Sequence, residues 1–390
     1  MNGAAAERAS ALTTARPGGI ARRTLEEILS PVGVAINGDA PWDVRVHDAR
    51  FFERVLAEGT LGLGESYVDG WWDCDRLDEL VCRAIRCNLD HHILDWRNKL
   101  FLVLMRTRNL QTLTRAKHVA ESHYDLGNHF FSQMLGPTMN YSCAYWRNAV
   151  DLDGAQEAKM DLVARKLQLR PGDRLLDIGC GWGSMARFAA ERFGCEAIGI
   201  TISRRQYEWA EERLRSTPAR VLLLDYRSPE LQRLGPFDKI VSIGMFEHVG
   251  RRNYRGFFSV VQSLLKSDGL FLLHTILNDH APAEPWVNRY IFPNGMLPSH
   301  IDLDCALRKL FVVEDLHNFG ADYDRTLMAW HANYSHYETQ PDFPYSVRFQ
   351  RIWRYYLLTY AGSFRARTRN HLCQIVLAKS GVPGGYRSVR

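Results

Sequence analysis

The strongest constraint on the fold is a short apolar run that ends in a glycine-rich turn. Residues 175–183 read Leu-Leu-Asp-Ile-Gly-Cys-Gly-Trp-Gly, so Asp177 is followed by Gly179, Gly181 and Gly183. Glycine lacks a Cβ and adopts positive φ readily, which lets a ligand lie directly against the backbone. The pattern is typical of the first strand-to-helix turn of an open α/β sheet, where cofactors bind beyond the carboxyl ends of the strands.

The residues of this turn limit which class of cofactor it can bind. The dinucleotide fingerprint needs a glycine at its sixth position and a phosphate-binding loop needs Gly-Lys-Ser/Thr, and the segment has neither. The second strand also ends without the acidic residue that would hold the ribose hydroxyls, and Thr201 and Gln206 are the nearest hydrogen-bonding replacements. These features favour S-adenosylmethionine over NAD or ATP.

Strands and helices alternate from about Gly172 onward. Short β-branched runs separated by helical periods indicate parallel βαβ units, so the sequence predicts an α/β fold with a doubly wound sheet. Ser203 is predicted to cap the second helix, and Asp268-Gly269 to break the chain after the third. The predicted strands are 174–178, 196–202, 220–224, 239–244, 269–276 and 374–379, and the helices are 156–167, 184–193, 204–215, 254–266, 323–337 and 347–366.

At 390 residues the chain is long enough for two domains. We predict a disordered tail over 1–21, which lacks the apolar core of a secretory signal, then a small N-terminal domain over 22–95. A basic linker over 96–120 leads to the α/β domain at 121–390. The centre of the N-terminal domain, 62–73, is rich in turn formers, and its paired tryptophans suit either packing or a lipid-facing surface.

Charge is informative in one segment only. The net charge of +5 is modest and does not indicate a nucleic-acid partner. Residues 97–117, however, contain six basic residues, no acidic one, and the apolar run 100–105. That composition suits an anionic membrane surface or, equally, a solvated helix between domains. No apolar run approaches the roughly 20 residues that span a bilayer.

The eight cysteines show no pairing typical of a metal site or a disulfide framework. Without a secretory signal, they predict reduced thiols in a cytoplasmic protein, and no metal site is predicted.

Three further segments carry side chains suited to chemistry. Tyr141 and Ser142 open an aromatic run whose rings suit either a bound sulfonium or core packing. Asp225-Tyr226 follows the third strand and suits an adenine ring or a simple turn. Glu247 and His274 belong to the fourth and fifth strands, whose ends should face the glycine turn, where they would form an acid/base pair with shifted pKa values.

Taken together, these segments resemble the cyclopropane-fatty-acyl-phospholipid synthase family, S-adenosylmethionine-dependent enzymes that cyclopropanate lipid acyl chains. The resemblance runs from about Arg22 to Arg367 and on to the last strand. It is closer to the bacterial phospholipid enzymes, which have an extra N-terminal domain, than to the shorter mycolic acid enzymes. The motifs that carry it lie at 64–73, 123–128, 141–146, 175–183, 199–203, 244–250, 272–276, 290–295, 317–324 and 364–367.

The resemblance implies a class I methyltransferase fold, S-adenosylmethionine and bicarbonate as cofactors, and a homodimer on the inner face of a phospholipid membrane. The N-terminal domain would engage lipid and the dimer partner. The implied cofactor site comprises Tyr141, Ser142, Asp177, Gly179, Gly181, Gly183, Thr201, Gln206, Asp225 and Tyr226. The implied catalytic residues are Glu247, His274, Tyr323 and Cys143, and these four with Ile276 would hold the bicarbonate.

One departure from the family bears on the mechanism. Members often have a cysteine just before the Ala-Gly-x-Phe-Arg-Ala-Arg motif of the late helix, and here that residue is Tyr360. A nucleophilic cysteine is therefore disfavoured and a bound anion favoured as the base. An alkene is a weak nucleophile and methyl transfer to it creates a carbocation, so the site must align the reactants and exclude water. We expect Glu247 to orient the anion and relay the proton.

Three alternatives remain open at this point. The chain could make methyl-branched acyl chains, or methylate a small amine, through the same cofactor. It could also be a lipid-binding protein that has lost catalysis. The product of the reaction separates these possibilities.

Overall fold

A computed structural model of the chain describes residues 17–89, 126–280 and 283–390. The chain divides into two compact units. The first comprises residues up to Val103 together with Pro344–Thr368, and the second comprises Leu104–Phe343 and Arg369–Arg390.

The first unit is mainly helical. Its elements are helix α1 (Pro17–Leu29), strand β1 (Arg45–Val46), helices α2 (Arg50–Glu58) and α3 (Thr60–Val68), strand β2 (Trp72–Asp73), helix α4 (Leu77–Arg86) and the late helix Val347–Ala366, which is α14 in chain order. Gly362 lets α14 approach α4 closely, because a Cβ there would lie 2.1 Å from the carbonyl oxygen of Asp78. Arg365 donates to the buried carboxylate of Asp78 and ties the same two helices together.

The two tryptophans of this unit have different environments. Trp72 is fully buried against Phe51 and Tyr67, so it belongs to the core and not to a lipid-facing surface. Trp71 is partly exposed, with the guanidinium groups of Arg50 and Arg54 4.4 and 4.9 Å from its ring. The prediction of a turn-rich centre is wrong for its first half, because residues 62–68 lie in α3.

The second unit contains the predicted α/β domain. Its helices are α5 (Gly127–Leu135), α6 (Leu152–Lys166), α7 (Ser184–Phe193), α8 (Arg204–Leu214), α9 (Pro229–Leu234), α10 (Tyr254–Leu264), α11 (Pro285–Tyr290), α12 (His300–Leu307) and α13 (Ala321–Tyr337). Its strands are β3 (Arg174–Ile178), β4 (Glu196–Thr201), β5 (Arg220–Leu223), β6 (Phe237–Ile243), β7 (Leu265–Asn278), β8 (Val312–Asn318) and β9 (Asn370–Ala378). The side chains of Asp151 and Ser203 cap α6 and α8, as predicted for Ser203.

Seven strands form one sheet in the order β5-β4-β3-β6-β7-β9-β8. Strands β3 to β7 are parallel, and β9 runs antiparallel to both of its neighbours. The strand order reverses at β3, so the carboxyl end of β3 is the position where such sheets bind ligands. Apolar clusters cover the sheet, one around Phe257 and Phe271, the other around Ala189 and Leu272. The predicted doubly wound α/β fold is confirmed.

Two details of the sheet differ from the prediction. No break follows α10, because β7 begins at Leu265 and continues through Asp268-Gly269, where its register against β6 shifts. Strand β8 was not predicted. Most of its residues are exposed or only partly buried, so it lacks the apolar pattern that marks a strand in the sequence.

Several domain predictions fall outside the described residues. These include most of the N-terminal tail, the basic linker over 96–120, and the predicted boundaries on either side of that linker. The observed division also differs from a single α/β domain over 121–390, since Pro344–Thr368 groups with the first unit. No helix within the described residues has the length and hydrophobicity of a membrane-spanning segment.

Candidate active site

A cavity lies at the carboxyl ends of β3, β4, β5 and β6, all within the second unit. Its walls come from the segment before α6, the glycine turn, and the loops that follow these strands. The side chains and backbone that line it include Tyr141, Ser142, Asp177, Gly179, Gly181, Thr201, Gln206, Asp225 and Tyr226. Nine of the ten predicted cofactor residues therefore line one cavity. Gly183 is not among the lining residues and instead occupies the N-cap position of α7.

The glycine turn is shaped by its lack of side chains. Gly179 has φ +81°, and a Cβ on it would lie 2.5 Å from the side chain of Met245. Gly181 also has positive φ, and a Cβ there would meet no atom within 4 Å, so its backbone borders open space. The N–H groups of Gly179 and Cys180 both donate to the carbonyl of Ile200, which holds the turn against β4. A flat ligand can therefore lie directly on this backbone.

The segment Asn140–Ser142, which forms another wall of the cavity, is held by helix α6. The amide nitrogen of Gln156 donates to the carbonyl oxygens of Asn140 and Ser142 at 3.3 and 3.0 Å. The ammonium group of Lys159 donates to Asn140 Oδ1 at 3.0 Å and to Ser142 Oγ at 2.9 Å. Both holding side chains are fully buried. Neither was predicted from the sequence.

Burial shifts the pKa values of two side chains, Lys159 of α6 and Asp177 of β3. It lowers the pKa of Lys159 to about 7 and raises the pKa of Asp177 to about 7. Their opposite charges attract and partly offset both shifts. Lys159 is therefore a buried amine that loses its proton near neutral pH, next to the residues that line the cavity.

Strand β4 ends in a buried pair of polar side chains, Thr201 and Gln206. Thr201 Oγ1 donates to Gln206 Oε1 at 2.9 Å, and Ser203 accepts the backbone N–H of Gln206 as the cap of α8. The Gln206 amide group keeps its N–H donors available, because its oxygen is the atom engaged by Thr201. This end of the cavity is polar without carrying a charge.

Strand β5 is followed by a carboxylate with a fixed orientation, that of Asp225. Arg227 binds both oxygens of Asp225, from Nε at 2.8 Å and from Nη2 at 2.7 Å. The Tyr226 ring packs edge-on against Phe257, and burial raises the pKa of its hydroxyl to about 12. The corner thus presents an oriented carboxylate beside a neutral aromatic ring.

Glu247 and His274 lie beside this cavity, next to residues of its wall. Glu247 is on the turn after β6, and its Oε1 accepts the backbone N–H of Ile276 in β7 at 2.7 Å. His274 lies in β7, and its carbonyl accepts the N–H of Gly244, which lines the cavity. Burial raises the pKa of Glu247 and lowers that of His274 well below its usual range. Glu247 Oε2 and His274 Nε2 are buried and have no hydrogen-bond partner among the described residues.

Cys143 lies next to helix α13, which also contains Tyr323, because its Sγ is 3.9 Å from Thr326 Oγ1. Thr326 Oγ1 accepts the N–H of Ala144 at 3.1 Å and the indole N–H of Trp146 at 2.9 Å, and it donates to the carbonyl of Asp322. Tyr323 is one helical turn before Thr326. Burial raises the pKa of Cys143 well above the usual thiol value, so this cysteine is not activated as a thiolate.

The predicted bicarbonate residues thus form two groups. Glu247, Ile276 and His274 lie at the β6 turn and in β7, whereas Cys143 contacts Thr326 of α13, the helix that contains Tyr323. The backbone N–H of Ile276 donates to Glu247 Oε1, which joins these two residues of the first group. Tyr360, which replaces the family's cysteine, lies in α14 of the first unit.

Comparison with known proteins agrees with this architecture. Residues 111–375 match the sequence profile of the family described as mycolic acid cyclopropane synthetase. The cyclopropane-fatty-acyl-phospholipid synthase of Escherichia coli is 49% identical over 374 residues, which cover 94% of this chain and 96% of that protein.

Two solved structures are similar at 33% sequence identity and a TM-score of 0.62. The cyclopropane synthase MmaA2 from Mycobacterium tuberculosis is matched over 70% of this chain and 100% of that chain. The mycolic acid cyclopropane synthase CmaA1, solved in complex with SAH and CTAB, is matched over 67% of this chain and 97% of that chain.

The fold and these similarities define a class I S-adenosylmethionine-dependent methyltransferase. Within that class, the chain belongs to the cyclopropane synthase family. The resemblance inferred from the sequence is confirmed.

Proposed function

We propose that this protein transfers a methylene group from S-adenosylmethionine to the cis double bond of unsaturated acyl chains in membrane phospholipids. In this reaction the methyl carbon leaves the sulfonium sulfur and bonds to an alkene carbon. One proton is then lost from that methyl group as the cyclopropane ring closes. The observation that carries the proposal is the burial of both Glu247 and His274 beside the cavity, each with a polar atom that has no hydrogen-bond partner among the described residues.

S-adenosylmethionine would supply an electrophilic methyl group. The cavity residues fit it, because the bare backbone at Gly179 and Gly181 accepts a flat or extended ligand. Gln206 can donate to ribose hydroxyls, and the oriented carboxylate of Asp225 can accept from an adenine amine. Tyr141 provides a ring face that attracts a positively charged sulfonium.

Bicarbonate would supply a small anionic base. The side chains fit such an ion, since Glu247 Oε2 can accept a hydroxyl proton and a protonated His274 Nε2 can donate to an ionised oxygen. The hydroxyl group of Tyr323 and a backbone N–H near Cys143 complete the proposed set of donors. We assign no nucleophilic role to Cys143, because burial keeps its thiol protonated.

The chain's own residues would also protect the reaction from water. Glu247 and His274 are 8% and 1% exposed, and Phe246 and Phe319 are buried beside them. A dry site prevents hydration of a carbocation, and aromatic faces stabilise its charge. We propose that Glu247 takes up the proton that ring closure releases and passes it onward.

We further propose that the protein acts as a homodimer bound peripherally to the cytoplasmic face of the membrane. The sequence supports the membrane association, because the basic span 97–117 surrounds an apolar run and suits an anionic lipid surface. That span lies outside the described residues. The homodimer rests on the resemblance to the family.

Transfer of labelled methyl groups to defined vesicles tests this function. The protein is incubated with methyl-labelled S-adenosylmethionine and vesicles of monounsaturated phospholipid, with fully saturated phospholipid as the matched control. We expect label in the unsaturated lipid only, and a rate that falls when bicarbonate is removed and recovers when it is restored. Label in saturated lipid, or none in either lipid under all conditions, contradicts the proposal.

A further inference from the structure

Strand β9 places one polar side chain beside His274. In the register of the sheet, Gln374 pairs with His274 on β7 and with His317 on β8. Directly paired residues of antiparallel strands project from the same face of the sheet. Gln374 is fully buried, so its amide group lies among these two imidazole rings and the aromatic residues that cover them.

A single hydrogen bond joins this glutamine to the proposed anion site. Gln374 Nε2 lies 3.4 Å from His274 Nδ1. An amide nitrogen only donates, so Nδ1 accepts with its lone pair and the single N–H of a neutral imidazole is on Nε2. Burial lowers the pKa of His274 well below its usual value, and the positive charges of Lys159 and Lys166 add to this, so the ring is neutral.

We propose that Gln374 is a positioning residue that fixes the His274 tautomer with its proton on Nε2. That proton is then offered from a buried atom that has no partner among the described residues. The inference rests on the proposed function, in which an anion lies between Glu247 and His274.

The chemistry of the anion supports this orientation of the amide. Bicarbonate presents one hydroxyl donor and ionised oxygens that accept, so it needs one acceptor and at least one donor from the protein. Glu247 Oε2 supplies the acceptor, and only the Nε2–H tautomer of His274 supplies a donor. If the Gln374 amide were rotated by half a turn, its oxygen would face Nδ1 and the proton would move there. Glu247 and His274 would then present two acceptors, which repel an anion.

The cost of the arrangement is visible in the same residue. Gln374 Oε1 is buried without a hydrogen-bond partner among the described residues. An unsatisfied buried acceptor destabilises the fold, so an apolar residue would suit this position better if packing were its only role. The hydrogen bond from the amide N–H to His274 Nδ1 explains why a glutamine occupies position 374.

Nitrogen NMR of the whole protein with ¹⁵N-labelled histidine tests the proposal directly. Spectra are recorded without bicarbonate, and the His274 signals are assigned by their loss in His274→Gln. We expect a pyridine-type Nδ1 and a pyrrole-type Nε2 in the unaltered protein. The reverse pattern would overturn the proposal, and this result does not depend on any variant folding.

Variants then connect the tautomer to function. Gln374→Met has similar length but no donor, and we expect it to show mixed tautomers and a KM for bicarbonate raised on the order of tenfold, as for lost partners of other site ligands. Affinity for S-adenosylhomocysteine should not change. His317→Gln alters the other register neighbour of Gln374 and should leave the His274 signals as they are. An unchanged tautomer in Gln374→Met contradicts the proposal.

The two proposals can fail separately. If turnover does not depend on bicarbonate, the proposed base is wrong, whereas the tautomer measurement still reports on Gln374. If turnover depends on bicarbonate and His274 carries its proton on Nδ1, the assignment of Gln374 alone is refuted.

Discussion

The amine of Lys159 donates to Ser142 Oγ at 2.9 Å, and this bond joins the inner face of helix α6 to a wall of the cavity. The same group also holds Asn140 at 3.0 Å. A polar donor inside the protein is costly unless its partners satisfy it, so its presence indicates that the position of the Asn140–Ser142 segment matters. The cavity is thus shaped by residues behind its wall as well as by those that line it.

Replacing Lys159 with methionine should weaken cofactor binding. The variant removes two hydrogen bonds to the wall but fills a similar volume, and each lost hydrogen bond costs about 0.5–1.5 kcal/mol, so the two together should lower affinity roughly tenfold. Calorimetric titration with S-adenosylhomocysteine measures this. Lys166→Met is the matched control, because Lys166 is equally buried in α6 but lies 3.4 Å from Asp315. Equal loss of affinity in both variants would contradict the assignment.

The same substitution should alter how stability depends on pH. Lys159 has a pKa of about 7 in the folded protein against 10.5 for the ordinary side chain, so between these values the unfolded chain binds a proton that the folded chain lacks. The free energy of unfolding therefore gains a term that rises with pH, up to about 1.4 kcal/mol per pH unit. Lys159→Met should lose this term. Urea unfolding of both proteins between about pH 7.5 and pH 8.5 measures the difference. Identical slopes would show that Lys159 is charged in the folded state.

Thr326 should be needed for its hydroxyl group rather than its shape. In Thr326→Val the N–H groups of Ala144 and Trp146 lose their acceptor, and each unsatisfied buried group costs about 1–3 kcal/mol. We expect turnover to fall by about tenfold or more. Thr326→Ser retains the oxygen and should recover most of the turnover. A serine variant as impaired as the valine variant would mean that packing of the methyl group is what matters.

Glu247→Gln should abolish most turnover without affecting the cofactor. The amide cannot take up a proton, and loss of an acid/base group typically costs about 100-fold or more in rate. Steady-state turnover on vesicles and calorimetry with S-adenosylhomocysteine are measured on the same preparation. Normal turnover with unchanged cofactor affinity would eliminate Glu247 as the proton acceptor.

Neutralising Arg106, Arg108 and Arg115 should weaken binding to anionic vesicles. The loss should be larger at low salt, because screening reduces the contribution of each basic residue. Co-sedimentation with vesicles at several salt concentrations measures it. The control neutralises the exposed residues Arg170, Arg192 and Arg215, which changes the net charge equally. If both sets reduce binding alike, net charge and not the basic span is responsible.

The sequence predicted the helices and strands whose bounds are marked by a strong local pattern. Helix α7 and strand β3 have the bounds that were predicted, because a glycine turn joins an apolar strand to a helix ended by Gly194. Strand β8 was missed because its side chains are largely exposed and its pairing partner β9 is distant in sequence. Its existence depends on tertiary pairing that no local pattern reveals.

The residues of the candidate site also fall into those that the sequence predicted and those that it missed. Residues such as Asp177 and Asp225 could be predicted because they end strands of a recognisable sheet, and that edge binds ligands. Lys159 was missed because a lysine in a helix ordinarily faces solvent, and only the packing of α6 against Asn140–Ser142 buries it. The polar residues Gln156 and Lys159 recur at helical spacing among the apolar residues Ala155, Met160 and Val163, and that pattern was the available signal.

The identity of the product tests the central claim most directly. The protein is incubated with S-adenosylmethionine that carries a CD3 methyl group and with monounsaturated phospholipid, and the acyl chains are compared with standards by gas chromatography and mass spectrometry. We predict a cyclopropane acyl chain that retains two of the three deuterium atoms, since ring closure removes one. A methyl-branched chain that retains all three, or an unchanged acyl chain, would contradict the account.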